Sequence, residues 1–112
     1  MKNVPAVVVD GRYIDFALDF GFSPRAIVDD VSFETAHEQA SFDTIARAIK
    51  DTKAKVLFVP DAFFNMTDFH AYARAHRITI PVVALAPYPE QSDEGYLDIL
   101  QYNILRLQNA VL

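Results

Sequence analysis

The chain has 112 residues, a length typical of one domain spanning 1–112, and 52% of them are hydrophobic, so a packed core is expected and disorder is excluded. A formal net charge of −5 and the lack of any Lys/Arg cluster argue against nucleic acid as a partner. Cysteine is absent, which excludes disulfides and thiolate metal sites, and no apolar stretch reaches the roughly 20 residues of a membrane span.

The first third of the chain predicts a strand, a helix and a second strand. Val4–Val9 is an apolar, β-branched run typical of a central parallel strand. A helix is predicted over Arg12–Phe20. The second strand is predicted to open at Pro24 and to include the run Ala26–Val31. The inner side of this helix is predicted to consist of Tyr13, Phe16, Ala17 and Phe20. Gly21 is expected to end the helix.

The middle of the chain repeats this alternation after a polar, acidic loop predicted over Ser32–Ala40. Ser41 is a good N-cap for a second helix, with Asp43 in its first turn. Val56–Val59 predicts the third strand, and Pro60 is expected to stop it.

The last part of the chain predicts helix, strand and helix. Thr67, or alternatively Asn65, would cap the third helix, which has Phe69, Tyr72 and Ala73 on its inner side. The fourth strand is predicted over Val82–Ala86, after Pro81. The final helix is predicted from about Asp93 to Val111, with an apolar stripe of Leu97, Leu100, Ile104, Leu107 and Val111.

Four strands separated by helices must run parallel, because each crossover helix returns the chain to the same end of the sheet. The predicted fold is therefore a three-layer α/β sandwich of the Rossmann or flavodoxin-like type, with helices on both faces of the sheet. The expected strand order is 2-1-3-4, with right-handed crossovers. Binding sites in such folds lie at the carboxyl edge of the sheet.

Two carboxylates follow adjacent strands at that edge. Asp10 comes after the first strand and Asp61 after the third, so the two side chains are expected near each other. Carboxylates so placed suit a hard divalent cation such as Mn²⁺, Mg²⁺ or Ca²⁺. Alternatively, each aspartate caps the helix that follows it. A phosphate site is not expected, because the turn Asp10–Tyr13 lacks the necessary glycine spacing.

Other side chains near this edge are candidates for contact with a ligand or partner. His37 lies in the acidic loop and would otherwise be an ordinary solvated histidine. Aromatic residues in loops often form contact surfaces. The candidate contact residues are Arg12, His37, Phe63, Phe64 and Tyr88.

Three segments resemble the C-terminal lobe of substrate-binding proteins of zinc- and manganese-type metal ABC importers. The first is Val7–Ala17 with the following Phe20-Gly21-Phe22, similar to a strand that runs into a metal ligand and then a helix. Ser41–Val59 is similar to the family's second helix and third strand, and Gly95–Leu112 resembles its terminal helix.

This resemblance implies a non-catalytic binding lobe with a partial divalent-metal site. It puts Asp10 at the position of one ligand, whereas the family's aspartate after strand four is replaced by Ala86-Pro87-Tyr88-Pro89, with Glu90 the nearest carboxylate. The N-terminal lobe that supplies further ligands in the family is missing. Weak binding of Mn²⁺ or Zn²⁺ is therefore expected, at a site with Asp10, Asp61 and Glu90 as candidate metal ligands.

The resemblance also implies partners and a location. The expected partners are a second lobe or a second copy of the chain, giving a dimer, and an ABC transporter permease. The family is periplasmic or attached to the cell surface, whereas the N-terminus Met1-Lys2-Asn3 runs directly into a strand without a signal peptide. The sequence alone would thus predict a cytoplasmic protein if the chain were complete.

Two other functions stay open. The first is a flavodoxin-like interaction or regulatory module that uses the acidic edge for protein contact. The second is a lobe of a siderophore- or cobalamin-type binding protein, for which loop aromatics are suited. Neither a base–nucleophile pair nor a cofactor motif is visible, so an enzyme is not expected.

Overall fold

The chain alternates strands and helices throughout the part that a computed structural model describes, namely residues 4–28, 38–60, 65–86 and 95–111. In chain order the elements are β1 (Val4–Val9), a 3₁₀ turn (Gly11–Tyr13), α1 (Ile14–Asp19), β2 (Phe22–Val28), α2 (Glu38–Thr52), β3 (Val56–Pro60), α3 (Met66–Ala75), β4 (Val82–Leu85) and α4 (Gly95–Val111).

The four strands form one sheet in the order β2-β1-β3-β4, and every neighbouring pair is parallel. This confirms the predicted fold class and strand order. Cα partners at the ends of the strands include Val9 with Val28 and Pro60 with Leu85. The carboxyl ends of all four strands therefore lie along one edge.

Successive side chains of β1 enter two separate cores, because they point to opposite faces of the sheet. Val7 and Val9 pack in the core that α2 and α3 cover, together with Phe42 and Phe69. On the other face lies the core of α1 and α4, which contains Val8. The two helices on each side show that the sheet is the middle layer of a three-layer sandwich.

Two helices end in the same motif, in which a non-glycine residue has a positive φ. After α2, Lys53 has φ 54°, and the Ala54 N–H donates to the Ile49 carbonyl oxygen at 3.2 Å. After α3, Arg77 has φ 58°, and the Ile78 N–H donates to the carbonyl oxygen of Ala73. These six-residue closures define Schellman motifs, which satisfy the last carbonyls of each helix.

The structure corrects the start of the second strand. β2 begins at Phe22 rather than at Pro24, and its described part ends at Val28, since 29–37 lie outside the described residues. Proline is tolerated inside β2 because it is an edge strand. The pairing of β1 with β2 also shifts after Pro24, because Ala6 pairs with Pro24 but Val7 pairs with Ala26. Arg25 is the extra residue of this bulge.

Three details of the predicted helices were wrong. Phe20 is 37% exposed, because α1 ends at Asp19 and Phe20 is its C-cap, from where its ring contacts Phe16 at 4.7 Å between centroids. Ser41 is buried inside α2, which begins at Glu38, so neither it nor Asp43 belongs to the first turn. Asn65, not Thr67, caps α3, and its Oδ1 accepts a hydrogen bond from the Asp68 N–H.

A hydrogen bond between side chains joins the two helices on one face of the sheet. The Tyr72 hydroxyl on α3 donates to Oδ1 of Asp43 on α2 at 2.5 Å. Burial of the phenol raises the pKa of Tyr72 to about 12, and the hydrogen bond and the negative charge of Asp43 add to the effect. Asp43, which the sequence assigned to a helix N-terminus, therefore fixes α2 against α3.

We expect Tyr72→Phe to lower the free energy of unfolding by about 1–2 kcal/mol, because a hydrogen bond to a carboxylate is lost. An unfolded tyrosine ionises near pH 10 and the folded one near 12, so the wild type should lose stability as the pH rises through that interval. Urea unfolding at pH 8, 10 and 12 measures both effects. The Tyr72→Phe variant should not show the part of this stability loss that comes from ionisation of Tyr72. An equal alkaline loss in wild type and variant would contradict the assignment.

Candidate functional site at the carboxyl edge of the sheet

The strand order reverses between β1 and β3, and at the carboxyl edge of the sheet this is the point where a binding crevice is expected. The chain leaves β1 through α1 on one face, and α2 then brings it back to β3 on the other face. The crevice outside the ends of β1 and β3 is where parallel α/β sheets bind ligands. Asp10 directly follows β1, and the β1–β3 register puts it level with Pro60, the last residue of β3.

Asp10 has an unusual backbone conformation for its place in the fold. Its φ is 81°, in the left-handed region that favours glycine. Lys53 and Arg77 share a positive φ, but both occupy Schellman positions after helices. Asp10 instead follows the central strand, and its N–H still donates to the Val28 carbonyl oxygen at 3.0 Å. Backbone strain of this kind clusters at functional sites.

The turn after Asp10 separates it from the first α-helix. The Tyr13 N–H donates to the Asp10 carbonyl oxygen at 3.3 Å, which closes the 3₁₀ turn Gly11–Tyr13. The N-cap of α1 is Tyr13, which makes no side-chain capping hydrogen bond. Asp10 thus directly precedes the 3₁₀ turn, whereas Tyr13 is the N-cap residue of the α-helical segment Ile14–Asp19. The Asp10 side chain is half-buried.

Two buried polar side chains hold the end of β4 at this edge. The Tyr13 hydroxyl donates to the carbonyl oxygen of Leu85 at 3.2 Å, although the ring is only 1% exposed. The amide of Asn103 is fully buried and binds the Ala86 backbone twice. Its Oδ1 accepts from the N–H at 2.8 Å, and its Nδ2 donates to the carbonyl oxygen at 3.1 Å. Both α4 and the turn after β1 are thereby attached to the exit of β4.

The structure describes only part of the predicted site. Asp10 is at the expected place, next to the end of β3. The backbone of Arg12 lies in the 3₁₀ turn, but its side chain is outside the description. The remaining candidates also lie outside the described residues: His37, Asp61, Phe63, Phe64, Tyr88 and Glu90.

The described ranges contain no group of three or more His, Asp or Glu side chains that could hold a metal ion. Asp10 is thus the one predicted metal ligand whose position the structure gives.

The hydrogen bonds of Asn103 to the backbone of Ala86 were missed in the sequence. Asn103 lies between Leu100 and Ile104 within the apolar stripe of the last helix, where a polar residue is unexpected. That interruption was the available signal, because a buried amide must find hydrogen-bond partners. Tyr13 was predicted as core, which its burial supports, but its hydroxyl bond to β4 could not be inferred without the strand order.

Comparison with protein-family models, curated proteins and solved structures gives no significant match for this chain. The class that the architecture defines is a doubly wound parallel α/β domain, whose strand order reverses between β1 and β3. Among the helices of the described residues, none has the length and apolar character needed to cross a membrane.

We expect Asn103→Leu to lower the free energy of unfolding by about 2–4 kcal/mol. Leucine fills a similar volume but removes the partner of the partly buried N–H and carbonyl of Ala86. Chemical denaturation provides the measurement, and Gln108→Leu on the exposed side of the same helix is the matched control. The control should change stability by less than about 0.5 kcal/mol. Equal stability of the two variants would show that the amide does not fix this edge.

Proposed function

We propose that this domain is a non-catalytic binding lobe whose site is the crevice beside Asp10, and that its ligand is a divalent cation bound by carboxylate oxygen. The observation that carries the proposal is the positive φ of Asp10 at the end of the central strand. A residue with a charged side chain there occupies a position that glycine would adopt with less strain.

The chemistry of the described edge fits a hard cation only in part. Asp10 supplies one carboxylate, which suits Mn²⁺ or Mg²⁺ better than a soft metal. Asp61 and Glu90, the other proposed ligands, belong to segments outside the described residues. One carboxylate alone binds such ions weakly, so we expect weak affinity unless those segments contribute.

The resemblance to lobes of metal-importer receptors supports the same proposal and extends it. In that arrangement the cation lies between two lobes, so the partner of this surface is a second lobe, and the complex serves an ABC transporter permease. The location is then periplasmic or at the cell surface. The same edge in a siderophore- or cobalamin-type lobe would bind an organic ligand instead.

Asp10→Asn tests the proposal, because asparagine keeps the shape and tolerates a positive φ but removes the charge. We expect isothermal titration with MnCl₂, and separately with ZnCl₂, to show at least a tenfold loss of affinity, or about 1.4 kcal/mol. Asp19→Asn is the matched control, since Asp19 is exposed at the far end of α1. Titrations of Asp10→Asn that match those of the wild type would remove this residue from any cation site.

Asp10→Gly separates binding from folding. Glycine adopts a positive φ without strain but loses more conformational entropy on folding. These two effects oppose each other, so the free energy of unfolding should stay within about 1 kcal/mol of the wild type. Asp10→Ala should be the less stable variant of the two, because alanine keeps the strain. Thermal unfolding monitored by circular dichroism gives the comparison. A strong destabilisation by Asp10→Gly would mean that the side chain serves folding, and the proposed binding role would lose its support.

A second candidate function is an interaction module without a metal. Large apolar side chains remain exposed on the layer of α1 and α4, where Leu18 is 55% and Leu105 is 58% exposed. Apolar exposure of this size is a feature of contact surfaces when neighbouring residues share it. If the wild type gives no titration signal with either metal at millimolar concentration, this alternative becomes the better description.

A further inference from the structure

A second surface of interest is the seam between α2 and α3, on the outside of the layer opposite α1 and α4. Two adjacent cavities of about 390 and 580 Å³ follow this seam and share His76 in their walls. The ring of His76 stacks on Tyr72, with 3.9 Å between the centroids. We call these two cavities together the seam groove.

The seam groove is acidic at one end and basic at the other. Glu38 and Asp68 line the smaller cavity, in whose described lining no lysine or arginine occurs. The larger cavity is lined by Arg47, Lys50 and Arg77, and its described lining contains no carboxylate. Three of the chain's ten basic residues thus gather at one end of a groove, in a protein that carries 15 acidic residues.

The direction of the helices explains how the charges became separated. Because α2 and α3 each precede a strand of one parallel sheet, they run the same way. Their positive N-terminal ends lie beside Glu38 and Asp68, and their negative C-terminal ends lie beside the cations. Each helix end carries only about half a unit of charge, so three cations exceed what the two C-termini neutralise.

We propose that the seam groove is the contact surface between two copies of this chain, related by a two-fold axis that passes near His76. Such an axis brings the acidic end of one copy against the basic end of the other, twice. The α2 and α3 helices of the two copies then run antiparallel, so that their dipoles attract as well. One surface patch serves both copies, as in other isologous dimers. The inference is independent of the cation site.

At the acidic end of the seam groove two carboxylates are neighbours, which is electrostatically unfavourable, and a cation of the partner copy would relieve this repulsion. A hydrogen bond to Asp68 raises the pKa of the Glu38 carboxyl, with desolvation and the negative charge of Asp68 adding to it. Two carboxylates so close together favour a nearby positive charge. Ala46, Ala71 and Ala75 are the small residues between the charged ends, and their short side chains allow close approach.

The size of the surface predicts a weak dimer. α2 has 15 residues and is therefore about 22 Å long, and two helices side by side make a face about 20 Å wide. A face of these dimensions corresponds to the lower end of specific interfaces, which are transient. Electrostatic pairing at its rim should be weakened by salt.

Two charge-reversed variants test the proposal by complementation. Arg47→Glu with Lys50→Glu makes both ends of the groove acidic, and Glu38→Lys with Gln39→Lys makes the other end basic as well. Asp68 stays unchanged because its backbone and side chain both bind the cap residue Asn65. Sedimentation equilibrium at low salt should show the wild type rising from 12.6 kDa towards twice that mass with concentration. Each variant alone should stay monomeric, and an equimolar mixture should form the heterodimer.

Arg25→Glu on β2, exposed and outside the seam groove, is the control and should associate like the wild type. Circular dichroism verifies folding, and Lys50→Glu and Glu38→Lys replace the double variants if those unfold. A wild type that remains monomeric at millimolar concentration and low salt would overturn the proposal. So would a mixture of folded variants that stays monomeric, or self-association of either variant equal to that of the wild type.

Discussion

The pairing of β1 with a parallel strand on each side is the constraint on which the rest of this structure depends. Because β2 and β3 both bind β1, the helices that connect the three strands must cross on opposite faces of the sheet. Those two crossings bury alternate residues of β1 in different cores. They also make the carboxyl end of β1 the point where the strand order reverses, so the position of Asp10 is a consequence of topology.

Burial patterns explain why most of the architecture could be predicted from sequence. Val4–Val9 and Val56–Val59 are apolar at every position. This pattern is typical of strands that are covered on both faces of a parallel sheet. Errors occurred where a local signal competed with tertiary contacts. Pro24 looked like a strand boundary, but an edge strand with a bulge accommodates it. Ser41 looked like a cap, but the helix begins three residues earlier and buries it.

The candidate site could be located by sequence but not characterised. The charged residue after the first strand is evident from the sequence. Its φ of 81° is not, because a positive φ is usually signalled by glycine and this position is an aspartate. Long-range partners are equally hidden. The bond from Tyr13 to Leu85 joins residues 72 positions apart, and the bonds from Asn103 to Ala86 join residues 17 positions apart. These contacts follow from the strand order, which a local pattern does not contain.

The two proposed surfaces use the charge of helix ends and strand ends in different ways. Asp10 lies at the carboxyl edge directly after the central strand, where parallel α/β sheets bind ligands. Glu38 and Asp68 lie in the first turns of their helices, where negative charge favours the helical fold. A stabilising role thus explains the presence of those carboxylates, but it does not explain why Asp68 raises the pKa of the neighbouring Glu38 carboxyl while three cations gather at the far end of the same groove. Pairing with an inverted copy accounts for both.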